Sequence, residues 1–228
     1  KGVPTGIAMI TVGDNDNTII VVPGANGKVD RAYIDSIKSE LEKFDMVVLQ
    51  HEIPLETVHY VIEFCYEKGI KIVLNPAPAA AVPMEIIDKV TYVTPNEHEA
   101  VLIFGDKLST EDLLRKYPEK LVITQGSRGV STCLKDGQIL NVPARKAQVV
   151  DTTGAGDTLN GAFSVQIAEG KAIEDALAYA NVAASLSTEK FGAQTGMPTA
   201  EEVETALKIL NGESVEKEIP VEIGRAHV

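Results

Sequence analysis

The sequence has no tryptophan, two cysteines and few aromatic residues, 5% in all. Cys65 and Cys133 do not form a CxxC pair, so neither a disulfide framework nor a cysteine-built metal site is expected. Both thiols are expected to be buried, Cys65 on the apolar face of a helix and Cys133 in a strand, as in a protein of the reducing cytoplasm. No apolar run reaches the ~18 residues that a membrane helix needs, and no membrane partner is expected. No signal-peptide pattern opens the chain. Basic residues are outnumbered, 21 against 33 acidic, for a net charge of −12. They form no block, and such a surface repels nucleic-acid phosphates. Any anion site on this chain must therefore draw on local backbone donors.

What is present is ordinary globular protein. The 228 residues suffice for one large domain, or one domain with a small appendage. Lys1 to Pro4 reads like the middle of a protein, and further residues are expected upstream. Two β-branched runs, Ile7 to Val12 and Thr18 to Val22, flank a polar stretch at 13–17 and predict a hairpin.

A strand-helix alternation follows. Asp30 to Phe44 places Ile34, Ile37, Leu41 and Phe44 on one helical face, and Leu55 to Lys68 does so with Leu55, Val58, Ile62 and Cys65. Short apolar strands are expected at 46–49, 70–74, 91–94 and 121–124. Helices are expected at 83–89, 96–104 and 110–117. Asp136-Gly137 marks a second hairpin between 130–134 and 138–142. Three helices close the pattern, at about 155–169, 172–189 and 199–210. The expected fold class is α/β: a doubly wound, mostly parallel sheet with helices on both faces, preceded by a small β hairpin. The hairpin region is expected over 1–24, the α/β domain over 25–211, and an irregular tail over 212–228. In such sheets ligands bind beyond the carboxyl ends of the strands.

The chemically informative stretch is DTTGAGDT over residues 151–158, followed by NGAF over 160–163. A β-like lead at 148–150 runs into a glycine turn and then a helix with Leu159, Phe163 and Ile167 on one face. The first amides of a helix lack internal partners and point outward at the positive end of its dipole. Gly154 and Gly156 have no Cβ, so a charged group can approach this backbone closely. Asp157 then lies beside an anion hole made of main chain, where its carboxylate can take a proton from an attacking hydroxyl. Aspartate in a first turn also stabilises a helix by about 0.3–1 kcal/mol, and the turn alone leaves both readings open. Residue 159 is Leu, so a G-x-G-x-x-G fingerprint fails, and nothing matches a Walker-type P-loop or H-E-x-x-H.

With these residues in view, the chain resembles the ribokinase (PfkB-type) family of carbohydrate kinases. The 151–163 segment looks like the family's second signature. NPAPA at 75–79, TPNEHEA at 94–100, ITQGSRG at 123–129 and KFGAQ at 190–194 resemble further family elements, in family order. The resemblance implies an ATP-dependent kinase, most closely one acting on the primary hydroxyl of ribose, with Mg²⁺ and an activating monovalent cation such as K⁺. Alternatives are a family kinase for fructose, a nucleoside or a sugar phosphate, or a non-catalytic nucleotide-binding fragment.

The resemblance also implies residue roles. Asp157 is the base, and the amides of Gly154, Ala155 and Gly156 form the anion hole. Thr124, Gly126, Ser127 and Gly129 line the nucleotide pocket, with Asn96 near the phosphates and Asn181 near the adenine end. Glu99 organises Mg²⁺. Asp151, Thr153, Ser187, Lys190, Gly192 and Gly196 match the monovalent-cation positions, several through carbonyls. Glu52 matches a sugar-contacting position. It also implies that 1–24 are part of a small β lid and 25–211 the nucleotide-binding and catalytic domain, with more chain upstream carrying most of the sugar pocket, and a homodimer formed through the lid. From spacing alone, Asn96 and Glu99 equally fit a helix cap and its box partner. Glu52 fits a solvated loop residue, and Thr124 to Gly126 an ordinary turn. His51, His59 and His98 read as surface or packing residues, with no role assigned.

Overall fold

The computed structural model describes residues 2–13 and 16–212. Strands β1 (Ile7–Gly13) and β2 (Asp16–Val22) form an antiparallel hairpin of their own. The strands extend further into the expected polar loop than its composition suggests, since Gly13 pairs with Asp16. Ile7, Met9, Ile20, Val21 and Val22 are exposed on this hairpin.

The main sheet starts with β3 (Met46–Leu49), β4 (Lys71–Leu74) and β5 (Tyr92–Val93), all parallel. Next come β6 (Val122–Thr124), β7 (Val130–Cys133) and β8 (Ile139–Val142), paired antiparallel. Parallel bridges from Val93 to Leu121 and from Asn96 to Thr124 join the two halves, so the strand order is β3-β4-β5-β6-β7-β8.

Helices are α1 (Arg31–Leu41), α2 (Leu55–Lys68), α3 (Met84–Lys89), α4 (Glu97–Phe104) and α5 (Thr110–Lys116). They are followed by α6 (Ala155–Ala168), α7 (Ile173–Ser187) and α8 (Ala200–Leu210). Alternation within the strands assigns them to two faces. Ile72 and Leu74 of β4, with Leu121 and Ile123, pack in one core with α1 to α5. Val73 and Val122 point the other way, onto Leu159, Phe163 and Ile167 of α6 and Leu177 of α7. A period-2 strand with both faces buried is what a doubly wound sheet requires.

Local chemistry sets the helix ends. Asp30 caps α1 by accepting from the Tyr33 amide at 2.8 Å. Thr199 and Glu202 form a reciprocal capping box on α8. Gly69 ends α2 in the left-handed region, its amide returned to Cys65 and Tyr66. Both cysteines are buried, and burial pushes the Cys65 thiol up to about 11.

Three expectations need correction. Residues 148–150 form no strand: Val149 and Val150 are exposed, and the Val150 and Asp151 amides both bond to the Thr188 carbonyl. With no strand beside them, their β-branched character has nothing to pair with. Phe44 lies past the end of α1 and is exposed, as is Leu55 in the first turn of α2. Helix α2 buries Val58, Val61, Ile62 and Cys65 instead. The expected tail beyond Gly212 lies outside the described residues. No helix among the described residues is long and apolar enough to cross a membrane.

Phe163 is fully buried, its ring edge-on to Tyr92 at 5.0 Å between centroids. Phe163→Ala is expected to cost about 3–5 kcal/mol of unfolding free energy, read from urea denaturation. A loss below about 1 kcal/mol would show that α6 is not pinned through this ring.

Candidate active site

Helix α6 starts from a glycine turn for a steric reason. Gly154 has φ +80°, and a Cβ there would meet the Ala193 carbonyl oxygen at 2.9 Å. Only glycine fits both the backbone angle and the close neighbour. No side chain caps the helix. The Ala155 amide donates to the Thr152 carbonyl at 3.2 Å, closing the turn. Among the described residues, the amides of Gly154, Gly156 and Asp157 have no backbone partner. Ala155, expected among the anion-hole donors, thus has its amide engaged in the turn, while the Asp157 amide is open. The Asp157 side chain is exposed and stands in the first turn of α6.

The strand that was expected before this turn is replaced by a clasp. Asp151 accepts from the amides of Thr153 and Gly192, each at 2.9 Å. The Thr153 hydroxyl and amide, then the Gly192 amide, hold its carboxyl below the ordinary range. The clasp draws the 190–196 segment onto the turn. There Gly196 is enclosed by carbonyls: a Cβ on it would lie 2.7 Å from the Ser187 oxygen, 2.8 Å from Gly192 and 3.4 Å from Lys190. Carbonyl oxygens near a carboxylate are the kind of donor that a hard monovalent cation would use, and of these the Gly192 carbonyl already accepts from the Gly196 amide at 2.8 Å. The Ser187 hydroxyl bonds its own helix at Ala184, and the Lys190 ammonium pairs with Glu202 at 3.0 Å. Main chain is what these two positions would offer a cation.

The other predicted residues lie at the carboxyl ends of the strands. Asn96 and Thr124 are bridged there, and the Thr124 amide donates to Pro95 at 2.9 Å. Asn96 and Glu99 do form a capping box on α4: Asn96 Oδ1 accepts from the Glu99 amide, and a Glu99 carboxylate oxygen from the Asn96 amide, both at 2.8 Å. Burial pushes the Glu99 carboxyl up, against that hydrogen bond. Gly126, Ser127 and Gly129 form a tight turn after β6, with Gly126 and Ser127 exposed. A Cβ on Gly129 would collide with the Val142 carbonyl oxygen. Asn181 is buried in α7, and its amide is given to the carbonyls of Val142 and Pro143 at 3.2 and 2.7 Å. It ties α7 to the end of β8. Glu52 is exposed just past the end of β3.

Sequence reasoning gave no role to two features of this edge. His51, next to Glu52, is buried, its Nδ1 at 3.1 Å from the Pro78 carbonyl and its Nε2 without a partner among the described residues. Burial pushes its imidazole down. Asn160 is almost fully buried in α6 and bonded across to Thr94. The signal was available: a polar residue between Leu159 and Phe163, on the side of the helix that packs.

The sign of the Asp151 shift fixes a pH test. Its folded value is depressed, so the clasp contributes stability above the ordinary value of 3.8, and that contribution is lost as pH falls through the folded value. The difference in urea midpoint between the wild type and Asp151→Asn is expected to be constant at neutral pH and to shrink in acid. A difference that does not change with pH would rule the clasp out.

The chain matches the model of the pfkB family of carbohydrate kinases over residues 1–200. It is 50% identical over 203 residues to the ribokinase of Bacillus subtilis strain 168, covering 89% of this chain and 69% of that one. It is 48% identical over 207 residues to the ribokinase of Lactococcus lactis, covering 90% and 68%. The structure of Arabidopsis thaliana ribokinase complexed with ribose and ATP superposes with a TM-score of 0.77 at 30% identity, covering 91% of this chain and 70% of that one. Fold, motifs and sequence agree: the chain belongs to the pfkB family of carbohydrate kinases.

Proposed function

We propose that the protein containing this chain transfers the γ-phosphoryl group of ATP to the primary hydroxyl of D-ribose, giving ribose 5-phosphate. One observation carries the mechanism: the first turn of α6 combines amides without a backbone partner and an exposed carboxylate. The amides of Gly154, Gly156 and Asp157 stabilise the charge on the migrating phosphoryl group. Asp157 accepts the proton as the sugar oxygen attacks. In a chain of net charge −12, main-chain donors at a helix start provide positive potential without a basic side chain.

The surrounding assignments follow the strand ends. Thr124, Gly126, Ser127 and Gly129 form the floor of the nucleotide site, Asn96 lies toward the phosphates, and Asn181 holds the wall at the adenine end. Glu99 takes part in organising Mg²⁺, which neutralises phosphate charge when bound. Asp151 with the carbonyls of Thr153, Ser187, Lys190, Gly192 and Gly196 would hold K⁺, which would supply positive charge beside the anion hole. Glu52 orients the sugar. Support for ribose as acceptor is the ribokinase identity of the relatives and the ribose and ATP of the plant structure. The β1–β2 hairpin, with its exposed apolar residues, serves as part of a lid over the sugar and as the contact between two copies.

With full-length protein, ADP release is expected to be faster with ribose than with fructose, nucleosides or sugar phosphates. ATP binding without turnover on any acceptor would favour a non-catalytic nucleotide-binding module. Asp157→Asn is expected to lower kcat by roughly 10²–10⁴-fold with ATP affinity nearly intact, because the anion hole is main chain. An unchanged kcat would remove Asp157 from the mechanism. Gly196→Ala places a methyl among the three carbonyls, and stimulation by K⁺ is expected to vanish. Retained stimulation would place the cation elsewhere.

A further inference from the structure

Asn160 is 1% exposed on the packed side of α6, between the core residues Leu159 and Phe163. Burying an amide there is costly unless both its ends are bonded. Both are: Oδ1 lies 2.6 Å from the Thr94 hydroxyl, and Nδ2 lies 2.9 Å from the Gly156 carbonyl. The orientation is determined by chemistry. A flipped amide would set Oδ1 against the Gly156 carbonyl oxygen, two acceptors at bonding distance. The Thr94 hydroxyl has one proton, and Asn160 takes it in preference to the Leu74 carbonyl, 3.4 Å away.

The Gly156 carbonyl and the Asp157 amide belong to one planar peptide group. Fixing that carbonyl from behind therefore aims the Asp157 N–H outward, into the open end of the helix. Accepting a hydrogen bond also polarises the peptide and makes its N–H a stronger donor. Thr94, at the other end of the link, is two residues before Asn96 on the end of β5. We infer that Asn160, held by Thr94, is a positioning residue that aims the Asp157 amide at the transferring phosphoryl group and sets it in register with the Asn96 strand end.

This rests on the proposed phosphoryl transfer, and the test separates the two. Full-length protein is compared as wild type, Thr94→Val, Thr94→Ser and Asn160→Asp. Thr94→Val keeps the shape and removes the hydroxyl, Thr94→Ser keeps the hydroxyl, and Asn160→Asp removes the donor to Gly156. The valine and aspartate variants are expected to lose kcat by roughly 10-fold or more, with the KM for sugar little changed and activity retained in Thr94→Ser. A merely structural role would lower thermal stability in Thr94→Val but leave the kcat of folded protein intact. The second readout needs no turnover: in ¹⁵N-aspartate-labelled protein, the Asp157 amide resonance is expected to move in Thr94→Val and stay near wild type in Thr94→Ser. An inactive wild type would overturn the proposed reaction, and the resonance would still decide the link. An unmoved resonance, or an unchanged kcat in Thr94→Val and Asn160→Asp of an active enzyme, would overturn the positioning role.

Discussion

A helix begins with backbone amides that its own hydrogen bonds cannot reach, and at α6 two of these, with the amide of Gly154, have no backbone partner among the described residues. Four of the eight described helices meet some of them with a side chain. Asp30, Asn96, Ser109 and Thr199 each cap a helix with a side chain, and α6 has no such cap. An uncapped helix start is unfavourable unless something else supplies the negative charge. The surrounding structure is organised around keeping this turn open and fixed.

Three supports converge on it. Phe163 and Leu159 bury the far side of the helix against β4 to β7. Asp151 grips Thr153 and Gly192 and brings the 190–196 carbonyls alongside. Asn160 and Thr94 link the first turn to the end of β5, where the Asn96 cap begins. Each support is buried or hydrogen-bonded, while Asp157 itself is exposed. Rigid backing behind a bare reactive edge is the arrangement that electrostatic preorganisation needs.

Much of the fold was legible because each cue was local. β-branched runs gave strands, apolar spacing gave helices, and N-x-x-E spacing left a capping box open as one of two readings, which the structure forms at 2.8 Å. The misreadings share one cause. Val149 and Val150 look like a strand by composition, but strand formation depends on a neighbour, and their amides found Thr188 instead. Phe44 and Leu55 fit a helical period but lie where helices end and the core stops. The Ala155 amide could not be counted as engaged without knowing how the 152–155 turn closes. The Thr94 to Asn160 link spans 66 residues, and no local pattern announces it.

The central claim is that phosphoryl charge is met by main chain at the start of α6. A crystal structure of the full-length protein with ADP, ribose and aluminium fluoride, which mimics the phosphoryl group in flight, tests it directly. The fluorides are expected about 2.7–3.1 Å from the amides of Gly154, Gly156 and Asp157, with the sugar oxygen against the Asp157 carboxylate. Fluorides held by lysine or arginine side chains, with those amides facing only water, would contradict it.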